Sequence, residues 1–385
     1  LLVRTRDGAQ TQVEDLGYSP DHPRWIGAVL KNKPDRRSDD LSNPVALVAT
    51  NPANLNQLNG LVLRTQLLTL AGASGAGQAP SIAIEGGDAG AEPTAEDYVN
   101  ALEPLKALEE ISIVAAPGHS AHSDPEMFRG IQQALITFVS RRRAYQIAVL
   151  DPPKDSDLNE VRKVRSRIDS SYAALYYPWV VVANPLFRPG DARQPPEISL
   201  PPSGFICGIY GRNDSQRGVF KAPANEVVLG ALRFEREINF AQQEVLNPLG
   251  VNCLRFFPGR GYRVWGARTA SSDPEFKYVN VRRYFNYLEA SIDRSTQWAV
   301  FEPNGERLWS NIRETVSSFL YNEWVSGALL GSSVQEAFFV RCDRSTMTQN
   351  DLDNGRLICL IGVAVLKPAE FVIFRIGQKT ADVRS

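Results

Sequence analysis

Three apolar runs in the first half of the chain, Ile111–Ala116, Gln146–Leu150 and Trp179–Ala183, contain no polar alternation. A strand without alternation must be covered on both faces, which is the condition of a parallel sheet between helices. The segments between the runs carry helical spacing. Phe128, Ile131, Leu135 and Phe138-Val139 mark one face, and Leu158, Val161, Arg165, Ile168, Tyr172 and Leu175 mark another that stops before Pro178. Thr94 stands three residues before Asp97, and Ser123 three before Glu126 with Pro125 between, both helix-start signals. The first of these starts a short helix reaching to about Glu110. Strand, helix, strand, helix, strand in this order predicts an α/β layer.

The remaining segments read differently. Residues 1–60 hold short charged and Pro-containing pieces, Leu61–Leu70 is strand-like, and 71–93 is a Gly- and Ala-rich loop. Arg188–Ser203 carries five prolines and reads as loop. Downstream come a strand at Phe205–Tyr210, a helix over about 226–247, and a strand at Val251–Phe257 closed by the turn Pro258–Gly261. A helix on Val281, Tyr284, Phe285, Leu288 and Ile292 follows, then a strand at Trp298–Phe301. Another helix, on Leu308, Ile312, Val316, Phe319 and Leu320, precedes three strands at Glu336–Cys342, Leu357–Leu366 and Phe371–Ile376. The expected fold is therefore α/β followed by α+β. Residues 1–60 form a partial peripheral segment, 61–230 the parallel-sheet α/β domain, and 231–385 a C-terminal α+β domain. No repeat of solenoid length occurs.

Charge narrows the partners. Forty-two basic side chains face 43 acidic ones in 385 residues. No basic excess is available for a nucleic-acid backbone, and no apolar run approaches the ~20 residues of a membrane span. Leu1, Leu2, Val3 and Arg4 read as neither signal nor transit peptide. A near-neutral chain repels its own copies weakly, which permits large self-assembly. Cys207, Cys253, Cys342 and Cys359 form no CxxC pair and lie in apolar runs, so they read as reduced core thiols of a chain folded in a cytosol.

The motifs that could carry catalysis are weak. The glycine run 72–77 lacks the Gly-Lys-Ser/Thr of a phosphate loop, and Gly259-Arg260-Gly261 lies between two strand-like runs. Gly118-His119-Ser120-Ala121-His122 follows a strand and precedes a helix, the setting of a serine nucleophile, although His122 replaces the second glycine. A serine-hydrolase-like enzyme on Ser120 is the alternative reading. Its base must come from His22, His119 or His122, because no histidine follows. His119, His122 and Asp124 could ligate a metal only from a loop. No catalytic, cofactor or metal residue is therefore expected. The second half is instead dense in arginine and tryptophan: Arg255, Arg260, Arg263, Trp265, Arg268, Arg282, Arg283, Trp298, Trp309 and Trp324. These residue types concentrate at energetic centres of protein interfaces, which favours an assembly protein.

Six ordered stretches carry a resemblance. They are Gly208–Asp214 with Arg217-Gly218-Val219 and Lys221–Asn225; Gly250-Val251-Asn252 with Phe257–Gly261 and Arg263–Thr269; Tyr278–Arg283; Val300–Asn304; Glu336–Asp343; and Pro368–Ile376. With Ile111–Gly118 and Asp169–Pro178 they make residues 97–378 similar to the sheath proteins of contractile phage tails and related injection systems. The resemblance implies a non-enzymatic subunit without cofactors. It would stack in rings around an inner tube and contract without nucleotide hydrolysis. Implied partners are further copies of the chain, the tube protein, and baseplate and terminal cap proteins, with no nucleic acid and no membrane insertion. Assembly in a bacterial cytoplasm into a virion or injection particle is implied. The family's N-terminal arm is expected either upstream of Leu1 or replaced by another linkage. Strand exchange would use Phe371, Val372, Ile373, Phe374, Arg375 and Ile376. A tube-facing surface is expected on Arg307, Asn311, Glu314 and Ser318.

Overall fold

Alternate residues of the strands point into two different cores, one on each side of a five-stranded sheet. The computed structural model describes residues 2–4, 10–31, 45–46, 65, 69, 90–185, 187 and 195–371. The chain divides into a unit at 1–91 and a unit at 92–385. In the first, strands β1 (Leu2–Arg4) and β2 (Gln10–Gln12) pair antiparallel, and the short helix α1 (Ile26–Val29) buries Ile26 and Val29 with Val13 and Leu30. The expected strand at 61–70 and loop at 71–89 lie almost wholly outside the described residues.

The second unit opens with helix α2 (Ala95–Leu102), whose Thr94 and Asp97 form a complete capping box. Pro104 ends it in a 3-10 turn, short of the expected Glu110. Strand β3 (Ile113–Ala115) leads to helix α3 (Pro125–Val139). The cap of α3 is Asp124, which accepts from the Glu126 amide, while Ser123 bonds to Glu92; the expected Ser123–Glu126 box is not formed. Strand β4 (Ile147–Leu150) and helix α4 (Leu158–Arg165) follow. The next strand corrects the sequence reading. Residues 173–177, expected to prolong a helix, are β5 (Ala173–Tyr177), and they pair in parallel with β4. All five are buried, on both faces, so their spacing carried no strand period.

Val180–Ala183, expected as the third parallel strand, is β6 of a separate antiparallel sheet. It pairs with β7 (Glu197–Leu200) and β8 (Ala231–Phe234). Residues 205–210, expected as a strand, lie in helix α5 (Pro202–Arg217). Ser203, Ile206, Tyr210 and Asn213 share its buried face at helical spacing, which the apolar neighbours on the other faces mask. Helix α6 (Phe240–Leu246) covers only the end of the helix expected at 226–247. Strand β9 (Val251–Phe257) matches its expected bounds and pairs in parallel with β5; β10 (Gly261–Trp265) closes the edge antiparallel. The sheet order is β10-β9-β5-β4-β3, so the sheet runs across residue 230.

Ala148, Leu150, Leu175 and Val251 pack under α3, α4 and α6. Ile147, Val149, Ala174 and Tyr176 pack under α5 and the small sheet. Asn252 is wholly buried and locks this layer: its side chain accepts from the Arg268 amide and donates to the Arg268 and Leu175 carbonyls.

A third core belongs to the C-terminal part. Helix α7 (Val279–Ser295) bridges the sheet layer and this core, since Val279 packs with the second cluster and Tyr284 and Leu288 with the third. Trp298–Phe301 forms no strand; a 3-10 turn covers Gln297–Ala299 and Phe301 is fully exposed at φ +70°. Helix α8 (Glu306–Val325) buries Leu308, Trp309, Ile312, Val316 and Leu320, worth roughly 2 kcal/mol each. Helix α9 (Val334–Ala337), strand β11 (Phe338–Arg341), helix α10 (Gln349–Asp353) and strand β12 (Leu360–Val363) complete the core, with β11 and β12 antiparallel. The mixed α and β character is as expected.

Candidate assembly surfaces

Helix α8 is two-faced along its whole length. Opposite its buried residues, Arg307, Asn311, Glu314 and Ser318 are exposed, and Tyr321 and Val325 extend the same line. Steps of four, three, four, three and four keep six side chains on one straight stripe about 27 Å long at 1.5 Å per residue. Tyr321 rests on Trp324, whose indole donates to the Gly331 carbonyl. The expected tube-facing residues therefore share one accessible face, continued by an apolar end that the sequence reading missed.

A second surface lies at the β11–β12 ladder. Among the described residues these strands form a two-stranded sheet that packs on α8 in the third core; beyond the ladder Ala364 donates to Ala337, and Leu330 donates to Ala364 beside the Leu329–Val365 bridge. Phe339, Leu360 and Ile361 are exposed on it. The Phe339 ring lies across its cross-strand partner Gly362, where an added Cβ would meet the ring at 2.2 Å. A larger residue there would require the exposed Phe339 ring to swing away. A lone two-stranded sheet is marginal in water and gains stability from a third strand.

The segment that leaves this sheet is held first at Leu366, whose carbonyl accepts from Asn280, and then at Glu370. Glu370 accepts from Arg268 Nε at 2.8 Å and Nη2 at 2.7 Å, from Asn247 at 2.7 Å and from the Tyr278 hydroxyl at 3.0 Å. Burial pushes the Glu370 carboxyl up, but the Arg268, Asn247 and Tyr278 bonds outweigh it and hold it below its ordinary value. One residue on, Phe371 is 70% exposed and outside any strand. Val372, Ile373, Phe374, Arg375 and Ile376 lie outside the described residues. No sequence motif announced the clamp, because its four partners are scattered over 124 positions.

Two arginines of α7 are structural. Arg283 grips Asp214 of α5 through both nitrogens and lies 4.5 Å over the Tyr210 ring. Arg282 sits between the rings of Tyr172 and Phe276, at 4.5 and 4.2 Å.

The loop that resembles a nucleophile elbow has no catalytic geometry. Ser120 is buried and its hydroxyl has no hydrogen-bond partner. His119 is buried against Phe128 and directs Nδ1 at the Ala116 carbonyl, and burial lowers its pKa to about 4. His122 accepts from the Asp124 amide. The Glu92 carboxylate lies 3.6 Å from His122 Nδ1, and neither histidine is hydrogen bonded to Ser120. Among the described residues no group of three potential metal ligands occurs, and no helix is long and apolar enough to cross a membrane.

Comparison with known proteins identifies the family. Residues 91–270 match the model of the phage tail sheath protein central domain, and residues 271–379 that of the phage tail sheath C-terminal domain. A putative prophage major tail sheath protein of Pseudomonas aeruginosa (strain UCBPP-PA14) is 24% identical over 69% of this chain. The chain spans 64% of that relative's length. A chain of the anti-feeding prophage baseplate is 33% identical, with a TM-score of 0.62, over 74% of this chain and 73% of its own. A chain of the contracted PVC sheath complex, an extracellular contractile injection system, is 32% identical with the same TM-score, over 73% and 75%. The two domain models together cover three quarters of the sequence, and the chain belongs to the contractile tail sheath family.

Proposed function

We propose that this chain is the structural subunit of a contractile sheath, polymerising helically around an inner tube and contracting to drive it through a target envelope. The likeness to subunits of contractile particles supports the class. Within this chain the observation that carries it is the unfinished β11–β12 sheet, exposed and apolar, beside a terminal segment clamped at Glu370. A strand added from a neighbouring copy would complete the sheet through main-chain hydrogen bonds, which hold whatever the side chains are. Phe371–Ile376 is the donor strand in this reading. Linkage of this kind survives a rigid rotation of subunits. The α8 stripe from Arg307 to Ser318 faces the tube. Baseplate and cap proteins bind the ends, and assembly takes place in a bacterial cytoplasm. The subunit acts as neither enzyme nor cofactor carrier, and Ser120 serves the fold.

Co-expression with the neighbouring tube and baseplate proteins tests the proposal. Negative-stain microscopy is expected to find hollow helical tubes with this chain as their main component. Monodisperse protein of monomer mass under all assembly conditions would refute it.

A further inference from the structure

We propose that Cys342 and Cys359 are a redox pair, closing into a cross-strand disulfide within one chain when it meets a small-molecule disulfide oxidant. The ladder of β11 and β12 pairs Phe338 with Val363 and ends with Arg341 opposite Leu360. One step further along the same register sets Cys342 opposite Cys359. Both side chains belong to one core with Val340, Met347 and Val363. The pairing type suits a bridge. Ala364 donates to the Ala337 carbonyl, so that pair is a hydrogen-bonded one. Types alternate along an antiparallel ladder, and five steps on, Cys342–Cys359 is a non-hydrogen-bonded pair. Such pairs hold their Cα atoms about 4.5 Å apart, inside the range a disulfide spans.

The chemistry balances as thiol–disulfide exchange. The half-buried Cys359 loses its proton and attacks one sulfur of the oxidant, expelling a small thiolate. Cys342 then loses its proton and attacks the Cys359 sulfur of the mixed disulfide, expelling the second. The two cysteines give up two electrons in all, the oxidant becomes two small thiols, and the cysteine protons end on them. Burial and the nearby Cys342 sulfur push the Cys359 thiol up to about 12, so thiolate is scarce near neutrality and the reaction is slow. The pair stays reduced through a short life in a reducing compartment and closes in an oxidising one. The bridge would fasten the end of the ladder and staple the loop that carries α10. Cys207 and Cys253 act as internal controls, because they belong to cores on opposite faces of the five-stranded sheet.

The full chain is incubated for hours with excess glutathione disulfide at pH 8.5, denatured, alkylated with N-ethylmaleimide and mapped by mass spectrometry without reduction. Two of its four thiols are expected to escape alkylation, and one peptide pair, containing Cys342 and Cys359, to be cross-linked until reductant is added. The melting temperature should rise by roughly 5 °C in wild type and not in Cys359→Ser. Four alkylated thiols, a glutathione adduct in place of the bridge, or a link between two chains would each overturn the proposal. The wild-type map decides even if the variant does not fold.

Discussion

Asp151 and His119 are buried beyond reach of solvent and titrate in opposite senses. Burial raises the Asp151 carboxyl from 3.8 to about 7, although the Ser203 hydroxyl and amide both donate to it at the head of α5. Because the folded chain holds this proton more tightly than the unfolded one, its contribution to stability falls as pH rises from about 4 to 7 and is level above. His119 is lowered from 6.5 to about 4, so its contribution is complete above pH 6.5 and is lost as pH falls toward 4. The two slopes offset each other in mild acid. Asp151→Asn should therefore make the melting temperature fall more steeply between pH 7 and 4.5 than in wild type. Parallel curves from calorimetry would contradict this. The Glu370 clamp gives a second test. Glu370→Ala leaves the buried Arg268 unpaired and should cost about 3 kcal/mol in chemical denaturation. Arg307→Glu on the exposed stripe should cost nearly nothing.

At the scale of elements, the terminal segment and α8 make separable predictions. Truncation after Glu370 keeps the clamp and every described core contact, so circular dichroism and melting should match wild type while tube formation is lost. Tubes of normal length from the truncated chain would refute strand donation by Phe371–Ile376. Reversing charge on α8 with Arg307→Glu and Glu314→Lys should leave the fold intact and abolish co-sedimentation with the tube protein. How legible these elements were depended on periodicity. Helices α3 and α8, and the second half of α7, bury one stripe and expose another, so three- and four-residue spacing displayed them. Strand β9 stood out as an apolar run closed by a Pro-Gly turn. Failures came where apolar residues are not confined to one face. In Ala173–Tyr177 and in the Phe205–Tyr210 part of α5, apolar residues fill every face and the period vanishes. The exposed stripe on α8 was readable as the complement of the core face. The Glu370 clamp was not, because hydrogen-bond partners more than 90 residues apart leave no local pattern.

The unit at 92–385 combines a sealed sheet layer with apolar side chains left open to solvent. The five-stranded sheet is sealed on both faces by helices and a small sheet, and the Arg283–Asp214 ion pair ties α7 to α5. Apolar side chains left open to solvent include Phe301, Tyr321, Val325, Phe339, Leu360 and Phe371 on the C-terminal elements, and Leu229, Phe240 and Val245 before β8 and on α6. A sheath stroke needs only that each subunit exchange one contact set for a larger one. Burying ~400 Å² more apolar area per subunit would release at most ~10 kcal/mol, multiplied over the copies in the polymer. That supply requires no nucleotide. The direct test is to trap purified extended particles, remove nucleotide with apyrase, and add mild denaturant or acid under the electron microscope. The sheath is predicted to shorten and widen without nucleotide, leaving the tube protruding. Particles that contract only when ATP or another nucleotide is restored would contradict a stroke powered by subunit contacts.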